Sequence, residues 1–269
     1  MTTPPWQPRG ILQPERSAEK FQLTRHAPAP ALADFIERYW IIYWDLRGTA
    51  PYTTETLPQP YANLVFEPHQ ARVYGVASQK YTKQLTGQGK VFGIKFKPGA
   101  LLPLYNRPLA TLTDRSLPAA TFFGATAEQT GQHILAADEP AAMCELANAL
   151  MLAHQPALDD QTRRAAAMVD RIMHDRTIGN VSQVAQAFAV SRRTLQRIFH
   201  TYIGVSPKWV ITRYRLHEAA EQLAATPKTR LATVAQELGY FDQAHFVKEF
   251  KAAIGLSPSE YLRRLEHAA

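Results

Sequence analysis

The feature that most constrains this chain is a pentapeptide written twice near its C-terminus, IGVSP at 203–207 and IGLSP at 254–258. The surroundings repeat with it. Phe199 pairs with Phe250 and Leu195 with Phe246 at an offset of 51, and Val184-Ala185-Gln186 pairs with Val234-Ala235-Gln236 at an offset of 50. The second copy therefore carries one extra residue, between AFAVS (187–191) and ELGYFD (237–242), where a turn tolerates it. Two diverged copies of one unit, each of roughly 40 residues, must fold alike.

Each copy reads as a short helix, a tight turn and a longer helix. In the first, Val184, Ala185 and Phe188 share one face of a helix over about 182–189. Ser191 is the N-cap of the next helix, which runs to about 203. Leu195, Ile198, Phe199 and Tyr202 make its apolar stripe, and Arg193, Gln196, Arg197 and His200 point the other way at ~100° per residue. In the second copy Thr233–Leu238 is the short helix, Gly239 suits the turn and Asp242 is the N-cap. The following helix buries Phe246, Phe250 and Ile254; it presents Ala244, Lys248 and Lys251 outward, with Gln243 and His245 at the margins. This pattern is a helix-turn-helix, at about 182–203 and again at about 233–254.

The pentapeptide itself is punctuation. Gly204 and Gly255 suit the left-handed residue that ends a helix, Ser206 and Ser257 cap the next one, and Pro207 and Pro258 suit its first position. The helix begun by Pro207 has apolar residues at 210, 211, 214, 216, 219, 220, 223 and 224 and stops before Thr226-Pro227. Its nineteen residues span about 28 Å at ~1.5 Å each. A spacer of that length is compatible with two recognition helices in successive major grooves, ~34 Å apart.

Charge supports the same direction. The net charge is +7, and residues 159–269 hold 16 Lys+Arg against 11 acids, whereas 1–158 hold 14 against 12. Residues 176–217 carry seven basic residues and no acid, a local field that favours a polyanion. An arginine bonds a guanine edge with two hydrogen bonds and a glutamine does the same to adenine, while lysines and His200 suit phosphates.

These residues also carry a resemblance. SRRTLQRIFHTYIGVSPKWV (191–210) and LGYFDQAHFVKEFKAAIGLSPSEY (238–261) resemble the DNA-binding domain of AraC-type transcription regulators, and the likeness covers about 165–269. It implies two helix-turn-helix subdomains joined by a linking helix on double-stranded DNA. It places base-contacting positions at Arg193, Gln196 and Arg197, then at Gln243, Ala244 and Lys248. Arg192, His200, His245 and Lys251 complete the expected DNA-binding set. Two positions depart from the pattern: Ala189 stands where the first turn often has glycine, and Ala244 offers no hydrogen bond at a site that is often polar. Direct readout by the second helix is therefore expected to be weaker.

The N-terminal part, 1–158, reads differently. Residues 38–46, 62–67, 71–77 and 90–97 have strand patterns; the last sets Phe92, Ile94 and Phe96 against Gly93, Lys95 and Lys97. Helices follow near 126–136 and 140–154. The expected fold is an α+β N-terminal domain, β-rich and barrel-like with appended helices, ahead of an all-α C-terminal domain of 159–269. LPQPYANLVFEP (57–68) and FGIKFKPGALLPLYNRPLATLTDRSLP (92–118) also resemble an N-terminal domain type of some AraC-like regulators, which implies sensing or dimerisation. Tyr39, Trp40, Tyr43 and Trp44 either line an effector pocket or belong to the core. The stripe Met143, Leu146, Ala147, Leu150 and Met151 either forms a homodimer seam or packs on its own domain.

Catalysis finds little support. A metal-dependent barrel enzyme, the alternative reading, wants clustered His and Glu, often as H-x-H, and the nine histidines are scattered. Glu67-Pro68-His69 reads as a turn and Cys144 as core. The DNA-repair methyltransferases that share this type of DNA-binding domain use a Pro-Cys-His-Arg nucleophile, a tetrapeptide this chain lacks. No enzyme activity, cofactor or metal is expected. A single cysteine, a polar N-terminus (MTTPPWQPRG) and no apolar run of ~18 residues point to a cytoplasmic protein without membrane attachment. The expected partners are DNA, a small-molecule effector, a second copy of the chain, and RNA polymerase if the output is activation.

Overall fold

The computed structural model describes residues 10–12, 14–225 and 230–266. The MTTPPWQPR segment and the Thr226-Pro227 stop lie outside them. Among the described residues eight strands form in the first half: β1 (Gln22–His26), β2 (Ile36–Asp45), β3 (Tyr52–Thr56), β4 (Asn63–Glu67), β5 (Gln70–Tyr74), β6 (Tyr81–Leu85), β7 (Gln88–Phe96) and β8 (Ser116–Pro118). Six make an antiparallel sheet in the order β1-β2-β7-β4-β5-β8, and β3 pairs with β6 as a separate ribbon. The barrel-like expectation is corrected to an open sheet. The outer strands β1 and β8 do not pair with each other, and β8 is only three residues long.

The four strands expected from alternation are present, with ends shifted by up to three residues. Those missed, β1, β3, β6 and β8, are short and largely polar, so they lack the alternating apolar signal. Pro68 and His69 form the turn between β4 and β5.

The period of two gives the sheet two different faces. Tyr39 and Ile41 of β2, Phe92, Ile94 and Phe96 of β7, and Leu64 and Phe66 of β4 are buried in one core. Helices cover that face. In chain order the helices are α1 (Pro14–Ala18), α2 (Leu102–Tyr105), α3 (Ala120–Phe123), α4 (Thr126–Ala136), α5 (Pro140–His154) and α6 (Asp160–His174), and then α7 (Val181–Ala187), α8 (Arg192–Ile198), α9 (Pro207–Ala225), α10 (Leu231–Glu237), α11 (Gln243–Ile254) and α12 (Pro258–Glu266). The α5 stripe Met143, Ala147, Leu150 and Met151 is buried in this same core, so it packs on its own domain. Cys144 is buried with it, which pushes its thiol up to about 11.

On the opposite face, Trp40 and Trp44 lie in register with Gly93 and Gly89 of β7. A Cβ on Gly93 would come 1.9 Å from Trp40 Cε2, and one on Gly89 2.1 Å from Trp44 Cζ2. The indoles therefore rest on bare backbone, an approach that only glycine permits.

In the C-terminal half, each helix-turn-helix has its own core. Leu195, Ile198, Phe199 and Tyr214 pack with Met168 and Val169 of α6 in the first, and Phe246, Phe250, Ile254 and Tyr261 pack with Leu216 and Leu223 of α9 in the second. Asp159 caps α6 by accepting from the Thr162 N–H at 2.7 Å. The sheet domain adds Val76 to the first core and Leu12 and Leu57 to the second, so the halves interlock. Among the described residues no helix is long and apolar enough to cross a membrane.

The two turns are built alike. Val190 N–H donates to Ala185 O at 2.9 Å, and Tyr240 N–H to Ala235 O at 2.9 Å. The residue before each donor is left-handed: Gly239 at φ +71° and Ala189 at φ +50°. A Cβ in that region costs about 1–2 kcal/mol, part of which glycine returns through its freer unfolded chain. Ala189→Gly should therefore stabilise the protein by about 0.5–1 kcal/mol, read as a raised midpoint in urea unfolding; a lowered midpoint would contradict the strain.

Candidate nucleic-acid interface

The recognition helices are set by their caps. Ser191 Oγ accepts from Thr194 N–H at 3.0 Å at the start of α8, and Asp242 Oδ1 accepts from His245 N–H at 2.7 Å at the start of α11. Gly204 (φ +98°) and Gly255 (φ +86°) end the two helical segments in the left-handed region. The next caps differ in detail. Ser206 Oγ accepts from Trp209 N–H at 3.1 Å, whereas Ser257 and Glu260 form a reciprocal box, with Glu260 Oε2 accepting from the Ser257 N–H at 2.7 Å. The punctuation expected of IGxSP is present at both copies.

Between these caps the faces divide as the periodicity requires. Arg192, Arg193, Gln196, Arg197 and His200 are exposed while Leu195, Ile198 and Phe199 are buried. On α11, Gln243, Ala244, His245, Lys248 and Lys251 are exposed while Phe246 and Phe250 are buried. Not all of these side chains are equally available. Arg192 Nη2 donates to Ser182 Oγ at 2.5 Å, which ties it to the first helix of its own unit. His245 stacks edge-on against Tyr240 and has Nε2 3.3 Å from Glu249, so its ring is turned toward its own subdomain. Phe241, just before the Asp242 cap, is 97% exposed and sets an apolar ring beside the polar face.

One local departure concerns the first recognition helix. Its last turn, Phe199–Ile203, widens to i→i+5 bonding, with Gly204 N–H donating to Phe199 O at 2.8 Å. This is the end that meets the sheet domain, where Thr113 Oγ1 donates to Gly204 O at 2.6 Å.

The linking helix α9 carries the residues that sequence reasoning missed. Arg213 and His217 are buried, and both face the N-terminal half. Trp209 Nε1 and Arg213 Nη2 donate to Ser78 O at 3.1 and 2.7 Å, and His217 Nε2 lies 3.4 Å from Pro58 O. Burial, with the Arg213 charge beside it, lowers His217 to about 3, so the ring is neutral at physiological pH. A second tie runs to α12: Glu55 of β3 holds Lys80 at 2.5 Å and Arg264 at 2.9 Å. The missed signal was two polar residues, four apart, set on the apolar side of the wheel.

The four aromatics of β2 separate by alternation. Trp40 and Trp44 line a cavity between the sheet and the ribbon. Tyr39 lies on the other face, buried, with its hydroxyl donating to Asn148 Oδ1 at 2.8 Å, and Tyr43 is partly exposed and accepts from Gln88 Nε2 at 2.6 Å. Neither Tyr39 nor Tyr43 reaches the cavity that their neighbours line.

Comparison with known proteins agrees with this geometry. Residues 184–264 match the family described as a helix-turn-helix domain, and residues 24–118 match one described as a domain of unknown function (DUF6597). An uncharacterized HTH-type transcriptional regulator of Haemophilus influenzae is 37% identical over 105 residues, covering 39% of this chain and 35% of that protein. The arabinose operon regulatory protein of Escherichia coli is 29% identical over 106 residues, covering 39% and 36%. The C-terminal domain of AraT, a response regulator from Geobacillus stearothermophilus, superposes with a TM-score of 0.35 at 28% identity, over 40% of this chain and 88% of that one. The chain spans about a third of the length of these curated relatives. They are described as a transcriptional regulator and an operon regulatory protein, and the barrel-enzyme alternative finds no support among them. Residues 184–264 of this chain are therefore a helix-turn-helix domain similar to those of AraC-like transcription regulators.

Proposed function

We propose that this chain is a sequence-specific DNA-binding transcription regulator in which an N-terminal domain, 1–158, governs a DNA-reading domain, 159–269. The observation that carries it is the pair of capped helices with exposed polar faces, Arg193, Gln196 and Arg197 on α8 and Gln243, Ala244 and Lys248 on α11. The first face offers two guanidiniums and an amide, the groups suited to reading guanine and adenine edges. The second offers one amide and one ammonium, so the halves of its operator are read unequally. Lys251 and His200 lie beside these faces and suit phosphates.

Control by the N-terminal half is supported by its bonds to α9 and α12, because α9 joins the two reading units. A small-molecule effector, a second copy of the chain, and RNA polymerase where the output is activation are the partners this role calls for. The test is a mobility shift with the full chain and fragments from its own upstream region. A shifted fragment that survives excess nonspecific DNA is the expected result. Equal retention of every fragment, with affinity set only by salt, would make the protein an architectural one and refute sequence-specific reading.

A further inference from the structure

The sheet and the β3-β6 ribbon flank a half-open cavity of about 600 Å³, within the range of small-molecule sites. Its wall is apolar over most of its extent, with Phe21, Leu23, Trp40, Ile42 and Trp44 along one side. At one end it is cationic, where Arg25, Arg38 and Lys95 all line it. Lys95 is the informative member. Its Nζ sits 3.8 Å above the Tyr61 ring and donates to the neutral Gln59 Oε1. The acid whose charge acts on it, Glu37, is itself bonded to Arg38 at 3.1 Å and Lys97 at 3.2 Å. Burial and the two arginine charges push Lys95 well below the usual lysine range, so an anion at this end would relieve a real electrostatic cost.

The other wall matters for regulation. Thr54, Thr56, Leu57, Pro58, Gln59 and Tyr61 form one continuous strap facing the cavity. The same segment reaches the C-terminal half: Leu57 enters the core of the second helix-turn-helix, Pro58 O takes His217 of α9, and Glu55 takes Arg264 of α12. A ligand that displaced Gln59 from Lys95 would thus move the segment that α9 and α12 rest on.

We propose that this cavity binds an amphipathic organic acid, its carboxylate on Lys95 and its apolar body along Trp40 and Trp44, and that strap 54–61 transmits occupancy to the linking helix. The regulatory part rests on the function proposed above; the binding part does not.

The experiment uses the full chain and no DNA, so its outcome is independent of the mobility shift. Benzoate, 4-phenylbutyrate, 2-naphthoate and octanoate, each with its neutral amide, are titrated against tryptophan fluorescence and thermal midpoint. The expected result is a carboxylate that binds at least about tenfold tighter than its amide, a preference abolished in Lys95→Met and kept in Lys95→Arg. If no carboxylate outbinds its amide, or Lys95→Met keeps the preference, the site assignment is overturned. Should Lys95→Met fail to fold, Gln59→Ala decides: it removes the competitor for Lys95 and should tighten carboxylate binding severalfold, and unchanged or weaker binding would refute the site. Hydrogen exchange over 207–225 should change when the carboxylate binds; identical exchange would overturn the transmission.

Discussion

Arg197→Ala is expected to weaken binding to the protein's own operator by about ten- to a hundredfold, the ~1–3 kcal/mol that a bidentate base contact contributes. Arg197 is exposed on α8, on the same outward face as Arg193 and Gln196. Its removal leaves the buried stripe of Leu195, Ile198 and Phe199 intact, so the fold should survive. The loss should be concentrated at one base pair, with tolerance for substitution appearing there and nowhere else. Lys251→Ala provides the contrast. A phosphate contact carries no sequence information, so this variant should weaken all sequences equally and reduce the salt slope by about one. Competition binding against a randomised operator library reads both effects. Unchanged specificity in Arg197→Ala would mean that α8 is not the first reading helix.

His217 should make the protein acid-sensitive as the pH falls below about 6.5. Its folded pKa of about 3 lies below the unfolded value of 6.5. Above pH 6.5 the ring is neutral in both states and contributes no slope. As pH falls below 6.5, the unfolded chain takes up a proton that the buried ring refuses, so stability is lost progressively down to about pH 3. With the slope rising to ~1.4 kcal/mol per unit, the loss between pH 6.5 and 4.5 is roughly 2 kcal/mol. Carboxylates held low by their hydrogen bonds, such as Asp159 and Asp175, lose their contribution only at lower pH. Glu218, raised by burial, acts in the opposite sense and is common to wild type and variant. Urea unfolding across pH 4.5–7.5 should show the slope in the wild type and a much flatter one in His217→Gln. Parallel curves would show that the ring accepts its proton while the chain remains folded.

Much of the helix-turn-helix domain was legible in the residue order. The repeat located both helix-turn-helix units, and caps such as Ser191, Asp242 and Ser257 bond as their side chains dictate, because a cap reaches backbone only two or three residues away. Strands β2, β4, β5 and β7 were legible because each carries an alternating apolar face. The polar strands β1, β3 and β6 were not, since QLTRH, YTTET and YTKQL carry no alternating apolar face. The same holds at the level of single residues. Alternation separates Trp40 and Trp44 from Tyr39 and Tyr43, but it does not say which face meets helices and which meets a cavity.

What the sequence determined by itself is therefore the local content of this protein: two copies of a capped helix with a polar, basic outer face and the punctuation that follows each. Hydrogen bonds within one or two turns and a 3.6-residue period suffice for that. What only the tertiary structure decided is where distant segments meet. Arg213 and His217 looked like ordinary polar residues on a linking helix until Ser78 and Pro58, more than 130 positions earlier, were packed against them. Lys95 and Gln59, 36 positions apart, came together at the cavity wall in the same way. Burial, and the charge neutralisation it demands, depends on the whole chain's packing, and no local pattern carries it.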